Sequence, residues 1–349
     1  MTKGHSCGIA RRHALAAALA FALGLTAVSA SAQDKPVELK LAHWAPSQHP
    51  MVRLGFEPWA RSVEAASKGS IKVTIYPAQQ LGKAANHYDM ARDGIADITY
   101  VLPGYQADRF PIFAVSELPF LFSSPGAGAK ALDAWYRGYA DREMKDVHFC
   151  FAHMHIGTIN SKKPINDPAQ IKGMKIRPAH GTMARFVTLL GGTNVQVSAP
   201  EARDALEKGV ADAITFPWQS VITYGLDKVV KYHTDMKLYA ATFAWVMNKD
   251  TYNKLAPGQK KVIDEHCNNE WAARVGAGWG DDEDSGQEKL AKTPGHTIVK
   301  VSATQLAAWR KAAEPLTAEW LKKVDESGVN AQEALETFRK SLKTYNAAY

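Results

Sequence analysis

Arg177 is the side chain of this sequence with the clearest potential for chemistry. It ends a predicted strand, Met174 to Arg177, so its guanidinium stands where the strand stops. A guanidinium presents a planar fork of N–H donors that matches the two oxygens of a carboxylate. This chemistry suits a carboxylate, but an arginine after a strand, taken alone, is more often a surface residue.

Four aromatic residues lie at or beyond the ends of predicted strands. Trp44 follows the first strand, Tyr105 follows a later one, and Phe216 and Trp218 follow a third. Ligands of open α/β sheets bind beyond the carboxyl ends of strands, and aromatic faces stack on flat apolar groups or on C–H faces of sugars. The four rings therefore predict an aromatic cleft, with ordinary core packing as the alternative for each ring.

Two histidines, His153 and His155, are two residues apart in a predicted strand and so share one of its faces. Such a pair is able to bind a metal ion, but no third ligand is apparent nearby, so we expect no metal site. The alternatives are a hinge strand whose His155 hydrogen-bonds a ligand, or two structural histidines. For His43 and His49, which flank Trp44, a place at the cleft and exposure to solvent are equally consistent with the sequence.

The remaining candidates for chemistry give weaker signals. The acidic run at residues 281–284 lacks the spacing and the turn of a calcium loop, so it predicts a solvated helical face. The sequence contains no G-x-S-x-G elbow, no H-E-x-x-H pair and no P-loop. We therefore expect neither an enzyme nor a cofactor.

Residues 1–32 predict an export signal. A basic start is followed by the apolar run Ala14 to Ala27 and by Ala30-Ser31-Ala32, the pattern that signal peptidase cleaves. A general secretory signal fits better than a twin-arginine signal, and no later apolar run reaches the ~18–20 residues of a membrane span. The predicted location is the periplasm, where a disulfide between Cys150 and Cys267 is permitted. Cys150 lies in a predicted core strand, however, so we expect a buried free thiol.

The net charge of +7 on 349 residues does not indicate a nucleic-acid partner. Lys3, Arg11 and Arg12 of the predicted signal contribute three of these charges, and the other basic residues are scattered along the chain. A scattered surplus gives a modest field rather than a basic stripe.

Strand and helix patterns alternate along the rest of the chain, which predicts an α/β fold. Val37–Leu41 and Ile71–Tyr76 alternate apolar and polar residues, and Met51–Ser67 suits a helix. A local repeat, Asp89–Ile98 and Ala205–Ala213, twice places a glycine between a helix end and a short strand. The repeat favours two similar lobes.

We expect lobe I to comprise residues 33–154 and 243–282, and lobe II to comprise residues 155–242 and 283–349. Between Pro257 and Pro294, apolar or aromatic residues recur every four positions. This spacing predicts a helix of ~30 residues and ~45 Å, long enough to lie across both lobes, although its glycines weaken the pattern.

The segment Lys163–Arg177 closely resembles the signature of the DctP-type periplasmic substrate-binding proteins of TRAP transporters. Further short motifs fall in the family's order, among them Gln80-Leu81-Gly82, Glu117-Leu118-Pro119-Phe120 and Met247-Asn248-Lys249. The resemblance implies a two-lobed, type II-like periplasmic binding protein that closes on its ligand, with a long helix touching both lobes. It also implies delivery of the ligand to membrane permease subunits, and a role for Arg177 in holding the ligand carboxylate.

Two departures from the family pattern bear on the ligand. Phe216 stands where the family usually has an asparagine that hydrogen-bonds the carboxylate, and Gly157 and Thr158 stand about where many members have another arginine. We therefore expect a monocarboxylate with an apolar or aromatic body, bound by a monomer through Arg177, Phe216, Trp218, Tyr105, Trp44 and His155. The alternatives are a C4-dicarboxylate, keto-acid or sugar-acid receptor, or a sensory adaptor that presents its ligand to a membrane receptor.

Overall fold

The computed structural model describes residue 1, residues 34–106 and residues 108–349 of the chain. The predicted export signal, apart from Met1, lies outside the described residues. Residues 36–349 form one compact unit. No helix in the described part of the chain is both long enough and apolar enough to cross a membrane.

Ten strands of the described residues form the framework that carries the candidate site residues. Eight of them join in the order β2-β1-β3-β9-β4-β7-β5-β6, while β8 pairs with β4 and β10 pairs with β8. The strands are β1 Val37–Ala42, β2 Ile71–Tyr76, β3 Ile98–Val101, β4 Val147–Ser161, β5 Lys175–Arg177, β6 Thr193–Asn194, β7 Ala213–Phe216, β8 Tyr232–Thr234, β9 Tyr239–Asn248 and β10 Thr297–Val299.

Helices lie between most of the strands, as the alternating pattern predicts. A π-helical turn, Val52–Phe56, leads directly into the first α-helix and so accounts for the helix expected over Met51–Ser67. The α-helices of the described residues are α1 Glu57–Ala66, α2 His87–Arg92, α3 Pro125–Tyr136, α4 Ala140–Glu143, α5 Gly181–Leu189, α6 Ala202–Glu207, α7 Trp218–Thr223, α8 Lys249–Lys254, α9 Pro257–His266, α10 Asn269–Lys292, α11 Ala303–Glu326 and α12 Ala331–Thr344.

Strand β4 is shared by two groups of strands. Its residues 147–157 pair antiparallel with β9, which continues the sheet through β3, β1 and β2. Its residues 158–161 pair with β7 and, in part, with β8. The chain therefore passes from one lobe to the other inside a hydrogen-bonded strand.

The repeat detected in the sequence has the same backbone conformation in both copies. Gly94 and Gly209 adopt φ values of 70° and 68°, the left-handed region that costs glycine no steric strain. Gly94 lies between α2 and β3, and Gly209 lies between α6 and β7. The two turns place the carboxyl ends of β3 and β7 in equivalent positions.

The single helix expected between Pro257 and Pro294 is wrong, because the segment consists of two helices. Helix α9 ends at His266, and the Asn268 side chain caps α10 by accepting a hydrogen bond from the Trp271 backbone nitrogen. The 24 residues of α10 correspond to a length of ~36 Å. This helix packs on both α3 and α7, as expected for the element that touches both lobes.

The buried free thiol expected at Cys150 is also wrong. Cys150 forms a disulfide with Cys267, which lies in the break between α9 and α10. Cys267 is buried, and its bond to Cys150 holds the α9–α10 link against β4. The Arg137 guanidinium donates to the carbonyl oxygens of both cysteines, at 2.7 and 3.0 Å.

The glycines of α10 permit close packing and do not end the helix. A Cβ on Gly276 would lie 2.6 Å from the Ala129 Cβ, and one on Gly286 would lie 2.2 Å from the Gln219 backbone nitrogen. Both separations are far inside van der Waals contact, so α10 approaches α3 and α7 at positions where only glycine fits.

The expected lobe boundaries remain a prediction. Helix α12 lies within the range assigned to lobe II, yet it packs against α3, which lies in lobe I. The last residues also contact lobe I, since the Tyr349 backbone nitrogen donates to the Leu121 carbonyl.

Candidate ligand site

A cavity lies at the carboxyl ends of β3, β5 and β7, and the space between its wall atoms is about 430 Å³ when the part open to solvent is included. Its walls are mainly aromatic and apolar: Trp44, Ala45, His49, Tyr100, Leu102, Tyr105, Arg177, Ala179, Ala199, Phe216, Pro217, Ser220, Tyr224, Tyr239, Ala241, Phe243 and Trp279.

Arg177 supplies the charge of this cavity. Arg177 is only 1% exposed. Its Nε donates to the Val197 carbonyl at 2.9 Å, and its Nη2 donates to the Tyr105 hydroxyl at 3.2 Å. Among the described residues, no carboxylate forms an ion pair with it. A buried cation without an opposite charge is costly, because neither water nor a partner balances it.

The Tyr105 hydroxyl connects two distant parts of the chain at this point. Tyr105 follows β3, whereas Arg177 ends β5 and Ala199 follows β6. The hydroxyl oxygen accepts from Arg177 and also from the Ala199 backbone nitrogen, at 2.8 Å. Since both contacts use the oxygen as acceptor, the Tyr105 O–H remains available to donate to an anion beside Arg177.

One wall of the cavity is a stack of aromatic rings from the loop after β1, from β3 and from β9. The Tyr100 ring lies 4.8 Å from Phe243 and 5.4 Å from Trp44, in stacked orientations. The Trp44 indole donates to the Tyr100 carbonyl at 3.1 Å, which fixes the orientation of its ring. Trp279 of α10 extends the wall, with its ring 5.3 Å from Phe243.

Phe216, at the end of β7, and Tyr224, directly after α7, form another wall of the cavity. Their rings meet edge to face at 5.2 Å, and the Arg177 guanidinium lies 5.6 Å from the centre of the Phe216 ring. The Asn160 amide donates to the Phe216 carbonyl at 3.0 Å and so holds the end of β7 against β4. The position that usually carries asparagine in the family therefore presents an aromatic face to the cavity.

Tyr239 occupies the space beside Gly157. A Cβ on Gly157 would lie 2.4 Å from the Tyr239 Cζ, so any larger residue at 157 would displace the ring. Burial raises the pKa of Tyr239 above its usual value, which keeps the phenol neutral. The second arginine of many family members is thus replaced by an uncharged phenol.

The expectation that residues 281–284 form a solvated face is wrong for Glu283. This side chain is fully buried and accepts hydrogen bonds from the Ser220 backbone nitrogen and the Trp279 indole, each at 2.9 Å. The Ser220 hydroxyl donates to the same carboxylate. Burial raises the pKa of Glu283 to about 7. Glu283 therefore joins α10 to the first turn of α7 and orients two residues of the cavity wall.

His49 belongs to the same network and is buried rather than exposed. Its Nδ1 accepts from the Met51 backbone nitrogen at 3.2 Å, so Nε2 carries the proton of the neutral ring and points at the Ser220 hydroxyl, 3.4 Å away. Burial lowers the pKa of His49 to about 3. The imidazole therefore lines the cavity without adding charge.

His43 is fully buried. The sequence was equally consistent with a place at the cleft and with exposure to solvent. The His43 ring stacks on Phe56 at 4.2 Å and does not line the cavity. Burial lowers its pKa to about 4, so it packs as a neutral aromatic ring.

The histidines of β4 also behave as aromatic packing residues. His153 stacks on Phe243 at 5.2 Å, and His155 stacks on Trp279 at 4.8 Å. Burial lowers the pKa of both to about 3. Within the described residues there is no group of three or more His, Cys, Asp or Glu side chains arranged to hold a metal ion.

Four of the six residues named from the sequence meet in the cavity, and two do not. Arg177, Tyr105, Trp44 and Phe216 line it, whereas His155 lies behind Trp279, and Trp218 packs near His233 with ring centres 6.1 Å apart.

Sequence reasoning missed several lining residues. Tyr239, Ala241 and Phe243 alternate along β9, and this period of two was the available signal. Trp279 stands four residues after Val275 in the helical pattern, and that spacing predicted burial but not contact with a cavity.

The sequence matches a family described as bacterial extracellular solute-binding protein, family 7 (DctP), over residues 41–323. It is 25% identical over 339 residues to the outer membrane transporter protein TsaT of Comamonas testosteroni. That alignment covers 94% of this chain and 97% of TsaT.

Three solved structures are similar over most of the chain. A TRAP solute-binding protein of Rhodoferax ferrireducens, in complex with copurified benzoate, is 28% identical with a TM-score of 0.85, covering 89% of this chain and 98% of that one. A marine metagenome TRAP protein specific for aromatic acid ligands, in complex with 3-hydroxybenzoate, is 32% identical with a TM-score of 0.85, covering 89% and 99%. A Bordetella bronchiseptica TRAP protein with bound (R)- and (S)-mandelate is 26% identical with a TM-score of 0.83, covering 88% and 99%. These matches confirm the two-lobed α/β fold.

Proposed function

We propose, from the premise that this chain belongs to the DctP family of bacterial extracellular solute-binding proteins, that it is a periplasmic receptor for an aromatic monocarboxylate. The receptor would deliver this ligand to the membrane subunits of a TRAP permease. The family and the similar structures are solute-binding receptors rather than enzymes.

The buried, unpaired guanidinium of Arg177 is the observation that carries the proposal. A carboxylate placed against its fork would accept charge-assisted hydrogen bonds in a site that excludes water, where such bonds are strong. The Tyr105 hydroxyl also favours a carboxylate ligand. Its oxygen already accepts two hydrogen bonds, so its O–H is available to donate.

The rest of the cavity favours an aromatic body over a polar one. The rings of Trp44, Tyr100, Phe243, Phe216 and Trp279 offer faces and edges on which a flat ring packs. Arg177 is the one formally charged side chain among the lining residues, all of which the structure describes. A second carboxylate would therefore be buried without a partner. The relatives bind benzoate, 3-hydroxybenzoate and mandelate, each with one carboxylate and one ring.

Closure of the two lobes follows from where the contacts arise. Arg177 and Phe216 belong to lobe II, whereas Trp44 and Tyr105 belong to lobe I. A ligand that contacts both sets binds the closed form better than the open form, so binding shifts the population towards closure. The closed form is the one that a permease would recognise.

The test is isothermal titration calorimetry with benzoate and mandelate set against succinate and galacturonate. We expect an aryl acid to bind and the dicarboxylate and sugar acid to bind far more weakly. Tight binding of succinate or galacturonate, with no response to any aryl acid, would contradict the proposal.

Substitution of Arg177 tests the carboxylate contact itself. Arg177→Ala leaves the ligand carboxylate buried without its partner, which costs about 2–5 kcal/mol, or roughly 30-fold or more in Kd. Arg185→Ala is the matched control, because this arginine pairs with Glu319 at the surface and does not line the cavity. Equal affinities for the two variants would remove Arg177 from the site.

A further inference from the structure

Three buried hydroxyl groups of the cavity wall, those of Tyr100, Tyr224 and Tyr239, form no hydrogen bond within the described residues. The Thr215 side chain interacts with the Tyr239 phenol, which leaves Tyr100 at β3 and Tyr224 beyond α7. Burial raises the pKa of both phenols well above the usual value, and the neighbouring Tyr224 adds to the shift of Tyr100. Both groups are therefore neutral hydroxyls, each able to donate one hydrogen bond and to accept others.

The packing of the two rings prevents either hydroxyl from turning elsewhere for a partner. Tyr100 packs against Trp44 and Phe243, with ring centres 5.4 and 4.8 Å away. Tyr224 is held by Phe216 at 5.2 Å and by His49 at 5.8 Å. The positions of the hydroxyls are set by the fold before a ligand arrives.

An unsubstituted ligand ring would cover these hydroxyls and leave them without hydrogen bonds. Burial of an unpaired hydroxyl is costly, and a site built to bond a ligand hydroxyl discriminates against the ligand that lacks it. A hydroxyl on the ligand ring both donates and accepts, so it satisfies a phenol in either role.

We infer that Tyr100 and Tyr224 select an aromatic monocarboxylate with a ring hydroxyl over the same acid without one. This inference rests on the proposed function, because the carboxylate on Arg177 fixes the end of the ligand from which the ring extends. The substituent is neutral rather than a second carboxylate, since neutral phenols cannot balance a second negative charge.

The experiment compares hydroxyl with methyl substituents, which are similar in size but differ in hydrogen bonding. Calorimetry with the wild-type protein measures Kd for benzoate, for 3- and 4-hydroxybenzoate and for 3- and 4-methylbenzoate. We expect at least one hydroxy acid to bind tenfold or more tightly than its methyl counterpart.

Variants then assign the discrimination to the two residues. In Tyr100→Phe or in Tyr224→Phe, we expect the hydroxyl-to-methyl affinity ratio to fall below threefold, because the ring remains and only the hydroxyl is lost. Tyr252→Phe is the matched control, since its hydroxyl bonds Asp264 away from the cavity, and it should keep the wild-type ratio.

The outcomes separate this inference from the proposed function. If hydroxy and methyl acids bind with equal affinity, the hydroxyl selection is wrong while the aromatic-acid receptor stands. A tenfold ratio that persists in both phenylalanine variants also overturns the assignment to Tyr100 and Tyr224. If no aryl acid binds at all, the proposed function itself fails.

Discussion

At the residue scale, the Arg177 guanidinium is prepared for an anion before any ligand binds. The Val197 carbonyl and the Tyr105 hydroxyl hold it in place, and the Phe216 ring lies beside it. Such preorganisation lowers the ordering cost of binding, because these side chains are already fixed. Affinity should therefore respond sharply to small changes around this one cation.

Tyr105→Phe tests this dependence on the Tyr105 hydroxyl. The change removes a ligand donor together with the acceptor for Arg177 and for the Ala199 backbone nitrogen. We expect about 1–2 kcal/mol of lost affinity, roughly 5- to 30-fold in Kd, with most of it in a faster dissociation rate. Stopped-flow dissociation of benzoate measures this effect, and a rate equal to that of Tyr252→Phe would show that the hydroxyl does not contribute.

Local sequence identified Arg177 because its strand and its motif are contiguous. It did not identify Tyr224 or Trp279, which reach the cavity only through the docking of α7 and α10. The prediction that His155 contacts the ligand failed for a related reason. Alternation along a strand shows which residues share a face, but it does not show which element covers that face. Trp279 covers it here.

At the scale of elements, α10 is positioned from both of its ends. Near its start, the disulfide between Cys150 and Cys267 ties the α9–α10 link to β4. Nearer its other end, Glu283 and Gly286 lock it onto the first turn of α7. Trp279 lies between these two attachments, so its ring is held at a defined place in the cavity wall.

Reduction of the disulfide should destabilise the protein substantially. The cross-link spans 117 residues of sequence, and loops of about 100 residues correspond to ~4–5 kcal/mol of entropic stabilisation in the chain-entropy model. We expect about 3–5 kcal/mol less unfolding free energy in urea with reductant than without it. The double variant Cys150→Ala with Cys267→Ala should resemble the reduced protein and show no further response to reductant. Equal stability in both redox states would contradict the prediction.

The sequence predicted most of the elements, but it did not predict the disulfide that joins β4 to the link between α9 and α10. Alternation and turn signals located most of the strands, but they gave no indication of β8. The break at Cys267 was hidden because an apolar or aromatic residue recurs every four positions on both sides of it. The N-cap at Asn268 was the available local signal for the start of α10.

At the scale of the whole molecule, the core contains an unusual number of neutral histidines. Burial lowers the pKa to about 3 or 4 for six of the described ones: His43, His49, His87, His153, His155 and His233. Burial acts in the opposite sense on Glu143 and Glu283, whose pKa values rise to about 7. Stability therefore depends on pH through two opposed sets of groups.

The histidines should dominate this balance below pH 6.5. Their unfolded pKa is near 6.5, so between that value and about 4 the unfolded chain binds protons that the folded chain does not. The two glutamates act oppositely between about pH 4.5 and 7, where the folded chain holds their protons. We expect the free energy of unfolding to fall by more than about 1.4 kcal/mol for each pH unit between pH 6.5 and 5, which is the slope for the uptake of one proton on unfolding.

Urea titrations at several pH values measure this slope. His155→Phe is the informative variant, because phenylalanine retains the stack on Trp279 and removes one titrating group. The free energy of unfolding of this variant should depend less steeply on pH than that of the wild type, by the equivalent of about one proton taken up on unfolding. A stability that is flat from pH 5 to 7 would contradict the assignment of these histidines as neutral in the folded state.

Strand β4 determines how the proposed closure would bend the molecule. In the part of the chain that the structure describes, β4 and β9 stay paired up to the point where β4 passes on to β7 and β8, so closure would bend a hydrogen-bonded strand rather than turn about a loop. The rotation has to be absorbed as small changes of twist spread along a hydrogen-bonded ribbon. A paired strand of this kind resists sliding and sideways tilt while it bends. The two halves of the ligand site would therefore return to the same alignment each time the protein closes.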